Sequence, residues 1–452
     1  MATINALLAS PIGAILVKGE PGSGKTIFAL ELLRRSGGGH YVSTRVSGDR
    51  LSQQIPPIKE IVVTGGGDRG RASGAMDLRD LRLANPSQLI KYVLEVTEHA
   101  QKEQLVILDS WDTMAKQMSA DERLGAERML VAITEGGRTK IVFVSEEPEN
   151  TSLGYLADAV VELKREKHEG AVVRTLELQK LRGGAIVRPT TLFSLVGARF
   201  TEFEASPTFE SQLMKKGAFK PIKDSEQFYS TGVKELDERM LGGFRKGSIP
   251  LLEFGPELPQ RVHLGIYNIA FSNFILNGGC VLSVPGEGAS PPEVLGLLKL
   301  TIPAKEISKN LLIGAFEKYD SAQALYLNPN SIKDTFNSMW KSMASLKGRK
   351  SRPLIGTISV DTFESIFEGH ELLHYLSRTI EIVRRNRDVV ALTCGDSSIL
   401  KKRLSDFSDV HSKYEMINDT LVIHGLKPSG PITQISYDYS RGYPYPAFTT
   451  VF

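Results

Sequence analysis

The sequence predicts an α/β fold built twice in tandem, with mainly parallel sheets that each carry an antiparallel extension. Two observations support this prediction. In the first half, strand-like apolar runs alternate with helix-like segments, which is typical of parallel strands joined by crossover helices. In the second half the same order of elements returns, at a spacing of more than two hundred residues. A repeat of that length indicates duplication of a whole domain and not a solenoid.

The first half opens with the apolar run AILVKG, a glycine-rich loop and a helix over Ile27–Arg35. Strands follow at HYVS and IKEIVVTG, and Asn85-Pro86-Ser87 starts a helix, because proline is tolerated in the first turn. The strand LVILDS, a helix over Ala120–Glu135 and the strand KIVFVS complete the alternation. The runs DAVVELKRE, AVVRTLELQKL and TTLFSLV then predict antiparallel strands.

Domain boundaries follow from changes in composition along the chain. Residues 1–205 form the predicted first domain. Residues 206–226 contain proline, lysine and polar residues, which is typical of a linker. Residues 227–452 form the second domain, with strands predicted at IPLLEFG, CVLSV, GTISVD, DVVALTC, TLVIHG and TQISYDY.

Composition excludes several classes of protein. The chain has 452 residues, of which 41% are hydrophobic and 24% charged, so it is neither fibrous nor disordered. A net charge of +3 gives no case for nucleic acid or membrane by itself. Cys280 and Cys394 both lie in apolar runs and indicate buried core thiols. The N-terminus lacks a basic signal region and no run is long enough to span a bilayer, so we expect a cytoplasmic protein.

A phosphate-binding loop lies between the first strand and the first long helix. Its residues are Gly19, Glu20, Pro21, Gly22, Ser23, Gly24, Lys25 and Thr26. In such a loop the backbone N–H groups and the helix N-terminus surround a polyphosphate. Lys25 can reach the β- and γ-phosphates, and the hydroxyl of Thr26 can ligate Mg²⁺. The pattern predicts that the chain binds ATP with Mg²⁺.

Two further strand ends are candidates for the same site. The strand LVILDS ends in Asp109, a carboxylate suited to the Mg²⁺ shell. Ser145 ends the next strand, where its hydroxyl could sense the γ-phosphate or could cap a turn before Glu146. Both interpretations of Ser145 remain open.

These motifs resemble the RecA-like ATPases of the KaiC group, which also includes GvpD and the Rad-type recombinase paralogues. The resemblance is carried by GEPGSGKT, LVILDS and YLADAVVELKREKHEGAVVRTLELQKLRGG, and in the second half by STGVKELDERMLGGFRKGSIPLLEFGP. It implies tandem RecA-like P-loop NTPase domains, an archaeal source and a homo-oligomer that could be as large as a hexamer. It names no protein partner.

The resemblance also implies a role for Lys180 and Arg182, in the stretch KLRG. In the family such cations reach the ATP of the neighbouring subunit, where they neutralise charge in the transition state. With Lys25 they form the expected catalytic set. The alternative is a solvated hairpin tip.

The chain departs from the family where a pair of glutamates is expected to activate water. Thr44, Arg45 and Val46 occupy that stretch. Without a carboxylate there the attacking water lacks a general base, so hydrolysis should be slow. The candidates to substitute for the missing carboxylate are Asp49, Glu146 and Glu147.

The second loop, Gly255–Val262, has lost its inner glycines. Arg261 replaces the lysine, and Val262 cannot ligate Mg²⁺. Asp361 survives at a strand end and Glu287 follows CVLSV, yet capping and surface-loop roles explain both. We expect a degenerate domain without a functional phosphate loop.

The favoured function is therefore an ATP-binding regulatory protein, and the alternative is a DNA-repair accessory ATPase. The segment GGGDRGRASG and the clusters KKR and KGRKSR are basic, but solvated loops explain them equally well. Glu146, Glu147 and Glu149 make the segment after KIVFVS acidic, where a DNA loop should be basic, so DNA binding is not favoured. A KaiC-like kinase ranks last, because the second loop is degenerate.

Overall fold

The computed structural model describes residues 3–60, 76–147, 151–206, 217, 219–286, 288–349 and 351–451. The segment GGGDRGRASG, Glu149, Glu287, one lysine of KGRKSR and most of the predicted linker lie outside these residues. The chain divides into two units, Met1–Glu204 with Thr450–Phe452 and Ala205–Thr449.

Helices and strands alternate through the first unit. Its helices are α1 Thr3–Ala9, α2 Lys25–Arg35, α3 Gly48–Gln54, α4 Pro86–Glu98, α5 Trp111–Ala115, α6 Ala120–Thr134 and α7 Thr151–Leu156. Its strands are β1 Ala14–Gly19, β2 Gly39–Ser43, β3 Met76–Asp80, β4 Gln104–Asp109, β5 Thr139–Ser145, β6 Ala159–His168, β7 Ala171–Leu181, β8 Thr190–Ser194 and β9 Thr201–Glu202. Short 3-10 helices cover Pro56–Glu60 and Val196–Ala198.

The sheet of the first unit has the strand order β3-β2-β4-β5-β1-β6-β7-β8-β9. The strands from β3 to β6 are parallel, and β6 to β9 are joined antiparallel. The predicted parallel sheet with an antiparallel extension is confirmed. Because β1 lies between β5 and β6, the loop that follows it emerges at the centre of the sheet.

Both faces of this sheet are covered by helices. Ile15 and Val17 pack with α2 on one face, whereas Ala14 and Leu16 pack with α4 and α6 on the other. Side chains alternate between faces along a strand, so a strand buried on both sides is apolar throughout, as AILV is. Asn85 caps the N-terminus of helix α4: its side chain accepts from the N–H of Gln88, and the side chain of Gln88 accepts from the N–H of Asn85.

One predicted strand of the first half is wrong in its described part. IKEIVVTG begins at Ile58, but residues Pro56–Glu60 form a 3-10 helix, and the edge strand is β3 at Met76–Asp80. Two consecutive prolines have fixed φ angles and no N–H to donate to a sheet, which favours a turn at this point.

The second unit repeats the arrangement. Its helices are α8 Lys234–Arg239, α9 Gln260–Leu276, α10 Pro291–Leu298, α11 Ala304–Asn310, α12 Ile332–Lys347, α13 Val360–Glu364, α14 Gly369–Asn386 and α15 Lys401–Phe407. Its strands are β10 Phe228–Tyr229, β11 Phe244–Arg245, β12 Pro250–Phe254, β13 Cys280–Val284, β14 Leu311–Ala315, β15 Ala324–Tyr326, β16 Leu354–Ser359, β17 Val389–Gly395, β18 Val410–Ile417, β19 Thr420–Lys427, β20 Thr433–Asp438 and β21 Tyr445–Thr450.

The strand order of the second unit is β15-β14-β13-β16-β17-β12-β18-β19-β20-β21, which matches that of the first except for one additional edge strand, β15. Its opening strand β12 lies between β17 and β18, as β1 lies between β5 and β6. The two units are tandem RecA-like P-loop NTPase folds. Within the described ranges, no helix is both long and apolar enough to cross a membrane.

Candidate nucleotide-binding site

The loop between β1 and α2 depends on its glycines. Gly22 and Gly24 have φ angles of 79° and 108°, in the left-handed region that disfavours side chains. A Cβ at Gly19 would lie 2.2 Å from the carbonyl oxygen of Leu163 on β6. The strand therefore turns directly into the loop, and α2 begins at Lys25.

Lys25, the first residue of α2, directs its side chain back to the start of the loop. Its side chain is buried, and its ammonium donates hydrogen bonds to the carbonyl oxygens of Gly19 at 2.7 Å and Glu20 at 2.8 Å. Burial lowers the pKa of Lys25, and the charges of Glu146, Asp109 and Asp112 oppose that effect. The loop thus surrounds one cation that is flanked by carboxylates.

Thr26 connects the loop to the neighbouring carboxylate. Its hydroxyl donates a 2.7 Å hydrogen bond to Asp109 Oδ2, and the phenol of Tyr41 donates to the same oxygen. Burial raises the pKa of Asp109, although these two hydrogen bonds and the charge of Lys25 act in the opposite direction. Two oxygen groups at hydrogen-bond distance are the hard ligands that Mg²⁺ takes, so these residues fit the ion.

The stretch Thr44–Val46 does not supply a carboxylate. The hydroxyl of Thr44 is buried, donates to the carbonyl of Ser110 at 2.8 Å and accepts from its N–H at 2.9 Å. Val46 packs against the apolar core. The guanidinium of Arg45 forms an ion pair with Glu146.

Ser145 is buried at the end of β5, and its hydroxyl donates to Asp112 Oδ1 at 2.8 Å. The N–H of Glu146 donates to the other oxygen of Asp112. The hydroxyl of Ser145 is therefore engaged with a carboxylate that the sequence analysis did not identify. The only signal for Asp112 was its position three residues after Asp109.

Arg174 on β7 is a second contact that sequence reasoning missed. Its Nη1 donates to the loop carbonyl oxygens of Gly22 at 3.0 Å and Ser23 at 3.2 Å. It lies directly opposite Arg165 on β6, and burial with that like charge lowers the pKa of Arg174. A basic residue on a strand with no local motif gives no sequence signal for this contact.

Lys180 and Arg182 lie away from the loop of their own chain. In the register of the sheet, Lys180 on β7 lies opposite Val160 on β6, and Val160 lies opposite Leu16 on β1. Leu16 is in the first half of β1, away from the end that leads into the loop. Its ammonium donates to the carbonyl oxygens of Gly154 and Tyr155, at 3.2 and 2.9 Å. The guanidinium of Arg182 donates to Asp158 at 2.8 Å. Both cations therefore lie toward the end of the strands opposite to the Lys25–Thr26–Asp109 group.

The second loop has a different interior. Leu258 and Val262 are buried in an apolar cluster with Phe254, and the ring of His263 stacks on Phe254 at 4.0 Å. Burial lowers the pKa of His263 to about 4. Asp361 accepts a 2.7 Å hydrogen bond from the N–H of Gly395 at the end of β17. The side chain of Arg261 lies outside the described residues.

A strand, a glycine loop and a helix, with a lysine in the loop and a threonine bonded to a strand-end aspartate, define a P-loop NTPase domain. The family model "GvpD gas vesicle protein, P-loop domain" matches residues 7–179. The chain is similar to protein GvpD2 of Halobacterium salinarum, at 26% identity over 96% of this chain and 92% of that protein. It is also similar to protein GvpD1 of the same organism, at 23% identity over 95% and 92%.

Proposed function

We propose that this chain is an ATP-binding regulatory protein whose first unit binds ATP with Mg²⁺. The observation that carries the proposal is the group formed by Lys25, Thr26 and Asp109, in which a loop cation and two oxygen ligands meet. The hydroxyl of Ser23 is buried and has no hydrogen-bond partner among the described residues, which suits a loop that receives an anion. The matched family is described as a gas vesicle protein, so we propose gas-vesicle regulation as the process.

Oxygen atoms of Thr26 and Asp109 are the groups that would hold Mg²⁺. When bound, the ion supplies positive charge to the phosphates. The protein itself contributes the ammonium of Lys25 and the backbone N–H groups of the loop.

Hydrolysis is proposed to be slow. Arg45 stands where the family has a carboxylate and is ion-paired with Glu146, so the expected general base is missing from that position. Because hydrolysis is slow, ATP acts as a regulatory switch or an assembly ligand more than as an energy source. The described residues and the two relatives supply no observation that favours the DNA-repair alternative, and we do not propose it.

The second unit is proposed to be a scaffold. Leu258 and Val262 of its loop are buried in an apolar cluster, and apolar side chains cannot solvate phosphate. The site of the first unit is proposed to be completed in trans by Lys180 and Arg182 of a neighbouring copy, in a homo-oligomer of up to six chains. The supporting observation is that both cations lie away from the loop in their own chain.

The proposal is tested by titrating the full chain with ATP and Mg²⁺ and comparing Lys25→Ala with Lys102→Ala. Lys102 is an exposed lysine outside the loop. Removal of a buried charge-assisted donor should weaken ATP binding by about a hundredfold or more. Unchanged affinity in Lys25→Ala, with Lys102→Ala also unchanged, would overturn the site assignment.

A further inference from the structure

The ion pair between Arg45 and Glu146 joins two strand ends at the nucleotide site. Arg45 follows β2, Glu146 follows β5, and β4 lies between these strands in the sheet. Arg45 occupies a position where the family resemblance predicts a carboxylate. The carboxylate in the structure is therefore supplied by another strand, and the arginine holds it.

The position of Glu146 along the sheet brings it beside the phosphate loop. Strands β1 and β5 are parallel neighbours with Lys18 opposite Ser145. Glu146 leaves its strand one residue after this pair, at the level where Gly19 begins the loop. In contrast, β4 and β5 separate the end of β2 from β1.

A buried carboxylate fixes the direction of the chain at this point. Asp112 is 4% exposed and accepts hydrogen bonds from the hydroxyl of Ser145 and the N–H of Glu146. Glu146 itself is 33% exposed, so the side chain has access to water.

The other two candidate carboxylates are placed differently. Glu147 forms an ion pair with Arg123 at 3.2 Å, and Arg123 also binds Glu127 of α6 at 2.9 Å. Asp49 is exposed in the first turn of α3. Of the three, Glu146 is the one paired across the site.

We propose that Glu146 is the general base for ATP hydrolysis and that Arg45 is its positioning residue. This inference rests on the proposed function. A water oxygen forms a bond to the γ-phosphorus while its proton passes to the carboxylate of Glu146. The bond between that phosphorus and the β,γ-bridging oxygen breaks, and its electron pair leaves with ADP. The products are ADP, inorganic phosphate and the proton, which Glu146 releases to solvent.

The test measures phosphate release and ATP affinity for the full chain with Mg²⁺, under single-turnover and steady-state conditions. Glu146→Gln should lower the rate by about a hundredfold, which is typical for loss of a general base, while the ATP Kd changes less than about threefold. Glu147→Gln and Asp49→Asn are matched controls and should keep the rate within about twofold.

Variants of Arg45 form a second part of the test, which distinguishes loss of the positioning of Glu146 from loss of folding. Arg45→Ala should lower kcat with KM unchanged, and Arg45→Lys should recover most of the loss. A wild-type rate in Glu146→Gln, or no turnover in the wild type at saturating ATP, would overturn the inference and leave the proposed ATP binding intact. Failure of the wild type to bind ATP would overturn the proposed function as well.

Discussion

The hydroxyl of Thr26 donates a 2.7 Å hydrogen bond to the carboxylate of Asp109, although the two residues are 83 positions apart. This bond joins the first turn of α2 to the end of β4. It brings the loop and the strand-end carboxylate to one point, where the proposed Mg²⁺ site lies.

The first prediction concerns Mg²⁺. Thr26→Val removes the hydroxyl but keeps the branched shape, whereas Thr26→Ser keeps the hydroxyl. ATP affinity measured with Mg²⁺ and with EDTA should differ strongly in the wild type and in Thr26→Ser. The difference should nearly vanish in Thr26→Val, because one oxygen ligand is lost. A full Mg²⁺ effect in the valine variant would show that Thr26 does not hold the ion.

The second prediction concerns stability and pH. Burial raises the pKa of Asp109 in the folded chain above its unfolded value. The folded state therefore holds this proton more tightly, and the associated stability is present at low pH and lost as pH rises through the raised pKa. Asp109→Asn is neutral at every pH, so without nucleotide it should unfold at a higher temperature than the wild type at pH 7 to 8.

The difference in unfolding temperature between Asp109→Asn and the wild type should become smaller as the pH is lowered toward 4. Trp111 is buried in the first unit, and the chain has two tryptophans, so a Trp340→Phe background makes fluorescence report this unit alone. Exposed Glu135→Gln is the control. A difference in unfolding temperature that does not change with pH would contradict the explanation by the raised pKa of Asp109.

The third prediction concerns Arg174, which donates to two carbonyl oxygens of the loop. Arg174→Met keeps much of the stem and removes these bonds, so the loop is held less firmly. ATP affinity should fall by about tenfold, which corresponds to about 1.4 kcal/mol for charge-assisted hydrogen bonds. Arg165→Met, directly opposite on β6, removes a like charge and should not weaken binding. Equal losses in the two variants would indicate general electrostatics and not a specific contact.

The fourth prediction concerns the trans site. Chains with Lys180→Ala and Arg182→Ala should bind ATP but not turn it over, and Lys25→Ala chains should do neither. Asp158 also accepts from the N–H of Gly13 at 2.9 Å, so it keeps a partner when Arg182 is removed. Mixing the two inactive proteins should restore part of the phosphate release, because each supplies what the other lacks. A mixture no more active than its components would argue against completion in trans.

The sequence predicted those features that depend on contiguous residues. The loop, Lys25 and Asp109 lie in short motifs at strand ends, and the strands around them are apolar enough to recognise. Tyr41, Asp112 and Arg174 were missed because their site partners lie far along the chain, 152 positions away for Arg174 and Gly22. No local pattern records such contacts.

Among the strands, β18 was missed because its residues VHSKYEMI mix polar and apolar side chains. Several of these polar side chains are buried and paired. His411 contacts Glu253 at 2.9 Å, and Lys413 lies 3.3 Å from Glu415. A strand whose buried face is partly charged does not show the apolar alternation on which sequence prediction relies.

The central claim is that this tandem protein has one nucleotide site, in its first unit. Calorimetric titration of the full chain with ATP and Mg²⁺ tests it most directly, with Lys25→Ala measured in parallel. We expect about one ATP per chain in the wild type and none at the same concentrations in Lys25→Ala, since Leu258 and Val262 of the second loop are buried in an apolar cluster. Two ATP per wild-type chain, or one ATP retained by Lys25→Ala, would contradict it.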